Sequence, residues 1–216
     1  MRAHHDWSSL PSPGRIVAGL AFHAAFLAVM GVPPRHAPEP GRVAYDDGGG
    51  SSFVLDLGGP VPMLVVRDRD ESGARPGDGA IRAVLGRAGL PGPFAAEPER
   101  GVSGAARWDG TAWAPAAGVP RRVVAHVVDD GHLLAEADIA LGEVAEGESD
   151  PDALAALLAA VRAGVWERET VEAAVRLTPY EDDEELEDEP DPEAAVAVLD
   201  LYAPVLREAL AADPAH

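Results

Sequence analysis

Three observations predict an α+β fold. Short β-branched runs joined by Gly-containing turns cluster in the first half of the chain. Apolar stripes at helical spacing follow Asp-Pro starts in the last third. An uninterrupted apolar stretch precedes both. Together they give an antiparallel sheet with hairpins, and helices packed on one face and at the C-terminal end. The chain divides into a loose N-terminal segment (1–15), an α+β domain (16–180), an acidic flexible loop (181–191) and a C-terminal helix packing on the domain (192–216).

Residues 16–30 (IVAGLAFHAAFLAVM) are 15 in number, short of the roughly 20 a membrane span needs. A buried helix fits them. A docking helix and the core of a signal peptide, with Arg15 as its basic flank, are the alternatives. Gly31 ends the helix and Pro33-Pro34 prevents its restart. His23, mid-helix, reads as a hydrogen-bonded core residue.

Residues 53–57 (FVLDL) and 63–66 (MLVV) form a hairpin across Gly58-Gly59-Pro60. Residues 42–45 supply a third strand, reached through the tight turn Asp46-Asp47-Gly48-Gly49-Gly50. Residues 80–88 show a short helical stripe. Asp109-Gly110 signals a second hairpin. A two-residue turn there sets Trp108 against Thr111 and leaves Trp113 further out. The two tryptophans either form a binding ridge or clasp the hairpin to the core. Residues 121–128 (RRVVAHVV) read as a strand, and 132–141 suit a strand or a helix. With Asp130-Gly131 as a turn, His126 and His132 do not face each other, so they do not share a metal. Asp150-Pro151 and Asp191-Pro192 open helices, with Asp as N-cap and Pro at N1. Residues 167–177 form a further helix, and Pro204 kinks or splits the last one.

Residues 44–71 resemble the SMI1/KNR4 (SUKH) family of bacterial immunity proteins. The likeness rests on Asp47-Gly48-Gly49-Gly50, the strand 53–57 with Asp56, the Val-containing strand 61–66 and the segment Arg67-Asp68-Arg69-Asp70-Glu71. It implies a protein that masks a basic toxin or nuclease.

The alphabet is biased. Lys, Asn, Gln and Cys are absent, so every basic side chain besides histidine is Arg. GC-rich codons explain this, and they weaken functional readings of the Gly and Pro content. Without Cys there are no disulfides, thiol nucleophiles or Cys-ligated metals. Without Lys there is no Schiff-base chemistry and no phosphate-loop lysine. This composition fits a cytoplasmic protein.

The net charge of −20 repels nucleic acid and anionic membranes and favours a basic protein partner. Solubility alone is the plainer explanation. Residues 181–193 carry ten acids and no base. They lack the turn glycine of a calcium-binding loop.

No catalytic constellation emerges, and no cofactor or metal is expected. Gly48-Gly49-Gly50-Ser51-Ser52 leads into a strand rather than a helix N-terminus, which argues against phosphate binding. The leading expectation is a non-enzymatic acidic binding protein. Its partner-binding candidates are Asp46, Asp47, Asp56, Asp68, Asp70, Glu71, Trp108 and Trp113. The alternatives are a metal-dependent enzyme using Asp68 and Asp70, and an assembly subunit docking through residues 16–30. The sequence does not fix the oligomeric state.

Overall fold

A computed structural model describes residues 7–34, 37–67, 102–118, 122–144, 147–179 and 190–213. A 3-10 turn, Trp7–Ser9, leads into helix α1, Pro13–Val29. Strands β1 (Arg42–Asp46), β2 (Ser52–Asp56) and β3 (Met63–Arg67) follow. After them come β4 (Gly104–Trp108) and β5 (Trp113–Gly118). Helices α2 (Arg122–Val128) and α3 (Asp130–Val144) precede a short strand β6 (Gly147–Ser149). Helices α4 (Pro151–Arg162) and α5 (Arg168–Val175), strand β7 (Leu177–Pro179) and helix α6 (Pro192–Ala211) complete the described chain. The architecture is α+β. Five strands form an antiparallel meander in the order β1-β2-β3-β4-β5, and β6 pairs with β7 in a second, two-stranded sheet.

α1 is the centre of the helical layer. Apolar residues surround it, which suits a helix covered on all sides, and Ile16, Val17, Leu20, Phe22 and Phe26 are buried. It packs against α2, α3, α4 and, most extensively, α6. Arg15 is exposed near its start, and His23, Leu27 and Ala28 open a part of its surface, with Met30 just past its end. α1 is therefore a core helix, and most of its length offers no face for docking. Gly31 closes it in the left-handed region at φ 73°. There the Gly31 N–H donates to Ala28 O and the Val32 N–H to Leu27 O, both at 2.9 Å, which satisfies two carbonyls left open at the helix end. Among the described residues no helix is long and apolar enough to cross a membrane.

The chain before α1 is docked from Trp7 onward, where a loose segment was expected. Trp7 and Leu10 lie in the core.

The sheet turns one face to the helices. Phe53 and Leu55 of β2, Leu64 and Val66 of β3, and Ala106 of β4 point there. Val54, Val65 and Ala105 point to the other face, where they form a small cluster with Val102. The alternation is the pleat acting on runs that are apolar throughout. The register sets Phe53 against Val66 and Leu55 against Leu64, and β1 adds Tyr45 opposite Phe53.

Two expectations change, and the choice left open at 132–141 is decided. Residues 121–128 are not a strand: Arg122–Val128 is helical. Val124, Val127 and Val128 recur at i, i+3 and i+4 and are buried, so tertiary packing overrides the β preference of a valine-rich run. Residues 132–141 are helical too. Asp129 starts α3, taking the His132 N–H on its carboxylate at 2.9 Å. The Asp109-Gly110 turn is wider than two residues. The Asp109 carboxylate accepts the N–H groups of Thr111 and Ala112, each at 2.8 Å. That four-residue loop brings Trp108 directly opposite Trp113.

The Asp-Pro starts behave as their chemistry dictates. Asp150 accepts from the Asp152 and Ala153 N–H groups, and Asp191 from those of Glu193 and Ala194. α6 runs unbroken through Pro204. The expected helix at 80–88 and residues 181–189 of the acidic loop lie outside the described residues.

Candidate functional site

Two hollows meet along the open side of α1. The larger, about 300 Å³, lies between α1, the end of β1 and the Val32-Pro33-Pro34 segment, and Ala44, Tyr45, Asp46, Asp47 and Glu136 contribute to its wall. The smaller, about 110 Å³, continues between α1 and α3, where Met30, Ile139 and Glu143 line it. His23, Leu27 and Glu136 border both, so the two form one groove. Its floor is apolar. Ile139 and Val32, at 56 % and 44 % exposure, are among the few large apolar side chains open to solvent. Its rim carries the carboxylates Asp46, Asp47, Glu136 and Glu143. Among the described residues no arginine lines either hollow.

The β1–β2 turn fixes two of those carboxylates. The Asp46 carboxylate accepts the Gly48 N–H and the Asp47 carboxylate the Gly49 N–H, each at 2.7 Å. Asp47 also takes the Ser51 N–H at 3.0 Å. Gly48 and Gly50 sit at φ 74° and 102°, a conformation that glycine adopts without a steric penalty. The turn thus holds both aspartates at the groove mouth.

Behind the groove lies a cluster of imidazoles. His126 Nδ1 of α2 is 2.9 Å from His132 Nε2 of α3, with the rings edge to face. His132 Nε2 is 3.8 Å from Glu136 Oε1, one helical turn on. His23 stacks edgewise on Tyr45, ring centres 5.8 Å apart. Burial lowers the His23 pKa below the ordinary imidazole value; Glu136 opposes this, and His132 and His126 add to it. His126 is lowered as well, by burial first and His132 second, against the pull of Glu136 and Asp47. Tyr202, at the groove base, is pushed up to about 12 by burial and stays a neutral phenol. Among the described residues no group of three or more histidines and carboxylates is arranged to hold a metal ion.

The expected site residues are only partly gathered. Asp46 and Asp47 lie at the groove. Asp56 is at the far end of β2, opposite Arg42, and pairs with that guanidinium at 3.8 Å. Trp108 and Trp113 lie inside the core, ring centres 5.4 Å apart. Their indole N–H groups donate to Ala212 O at 3.2 Å and Pro11 O at 2.7 Å. Asp68, Asp70 and Glu71 fall outside the described residues. Glu136, Glu143 and Ile139 were missed, although their spacing along one helix face was readable once 130–144 is taken as helical.

Internal pairing accounts for several of the described arginines. Arg15 and Arg162 share Asp130, Arg42 faces Glu39 and Asp56, and Arg168 holds Glu172 and Glu193. None of these pairs involves a groove carboxylate. Compared with known protein families, with curated proteins and with solved structures, the chain matches none.

Proposed function

We propose that this is an acidic binding protein whose groove along α1 receives a basic, partly apolar segment of another protein. The observation that carries the reading is the groove itself: an apolar floor, four carboxylates on its rim and, among the described residues, no arginine lining it. Such a site attracts a cationic surface at long range and then buries its apolar side chains. The resemblance of residues 44–71 to immunity proteins supports a finer version, in which the partner is a basic toxin or nuclease masked by this contact. Asp47, which carries part of that resemblance, sits at the groove mouth beside Asp46.

The test is a titration with a cationic amphipathic peptide of Leu and Lys at two salt concentrations. Binding should weaken roughly tenfold between about 50 mM and 500 mM salt. Glu136→Gln with Glu143→Gln should weaken it at low salt, and Asp152→Asn, outside the groove, should not. Affinity that ignores salt, or equal losses from all three substitutions, would overturn the reading.

A further inference from the structure

Behind the site that attracts a cation lies a proton-sensitive contact. His126 Nδ1 and His132 Nε2 face each other at 2.9 Å. At that distance one nitrogen donates a hydrogen and the other offers a lone pair. The pair tolerates no net charge, or one. A second proton places N–H against N–H, and the contact breaks. His132 has a second partner within reach, since its Nε2 is already 3.8 Å from Glu136 Oε1. Glu136 is a rim carboxylate of both hollows.

We infer that the His126–His132 contact is a one-proton latch on the groove: a second proton releases it, turns His132 onto Glu136 and lowers the groove's affinity for a cationic occupant. This rests on the reading of the groove as the site for a basic partner. The charged and titratable groups around the pair come from each adjoining element. His23 of α1 adds repulsion on protonation, while Glu136 of α3 and Asp47 of the β1–β2 turn attract the proton. Asp129, at the head of α3, holds the His132 N–H through its own carboxylate. Tyr202, raised by burial, stays neutral across the acid range. Burial favours the neutral rings of His23 and His126, so the latch holds at neutral pH and opens only as the pH falls below the ordinary imidazole range.

The experiment measures the affinity of the same Leu/Lys peptide at about pH 7.5, 6.5 and 5.5 and fixed ionic strength. The lysines keep their charge throughout. The wild type should lose roughly tenfold in affinity across that range. His132→Gln retains an amide that can meet His126 Nδ1 and does not titrate; it should lose less than about twofold. A wild type that binds at pH 7.5 with flat affinity overturns the latch and leaves the groove reading standing. A variant as pH-dependent as the wild type also overturns the latch. No binding at pH 7.5 and low salt removes the groove reading, and the latch with it. Should the variant not fold, nitrogen-15 spectra of the wild-type rings decide: coupled titration of His126 and His132 supports the latch, and two independent titrations overturn it.

Discussion

Gly19 of α1 meets the carbonyl of Val127 in α2 so closely that a Cβ on Gly19 would lie 1.7 Å from the Val127 oxygen. No side chain fits there without the two helices moving apart. Gly19→Ala should therefore destabilise by about 3 kcal/mol or more, read by urea unfolding. The matching case is Gly142 of α3, around which a Cβ would meet nothing within 4 Å. Gly142→Ala should stabilise by up to about 1 kcal/mol. Equal effects from the two would contradict the close crossing of α1 and α2.

The tryptophan pair should behave as one unit. Trp113→Phe deletes the N–H on Pro11 O and Trp108→Phe the one on Ala212 O. Each should lose about 1–3 kcal/mol. Because the rings touch, the double variant should depart from additivity by about 0.5 kcal/mol or more. Strict additivity in a double-mutant cycle would show that they do not support each other.

The two Asp caps should act independently. Asp150→Ala and Asp191→Ala each remove a carboxylate that two backbone N–H groups share. Each should cost about 1 kcal/mol, and the double variant about the sum.

Stability should fall off at both ends of the pH scale, for different reasons. His23 and His126 are lowered in the folded state, chiefly by burial. Below about pH 6.5 the unfolded chain binds more protons than the folded one, so stability drops as pH falls. His23→Leu should flatten that acid limb. Tyr202 is raised to about 12. Its contribution is complete below the unfolded value near 10 and is lost as pH climbs toward 12, by about 2–3 kcal/mol in all. Tyr202→Phe should remove this alkaline loss. Thermal melts across the pH range check both.

The sequence was legible where local chemistry and packing agree. Residues 42–66 carry β-branched side chains, an Asp-Gly turn and a Gly-Pro reversal, and the three strands pair in the expected order. Gly31, Asp150 and Asp191 mark helix ends because a single residue does the work there. The misreadings share one cause. Valine favours strands when considered alone, but Val124, Val127 and Val128 are placed by burial under α1, and only their spacing betrays the helix. The error propagated: a strand at 121–128 separates His126 from His132, whereas two helices meeting at Asp129 bring them together. The acidic residues at the hairpin were visible as charge. Which of them share a groove was not, because Glu136 and Glu143 are far from Asp46 and Asp47 in sequence and join them only once α3 and β1 both flank α1.

The heart of the helical layer is assembled from both ends of the sequence. α1 is complete by Val29, while α6, its largest cover, begins at Pro192. A ribosome adding about 5–20 residues each second leaves the apolar helix without that cover for on the order of ten seconds. During synthesis the nascent chain presents a sticky, helix-forming segment that invites chaperones and like segments on neighbouring ribosomes.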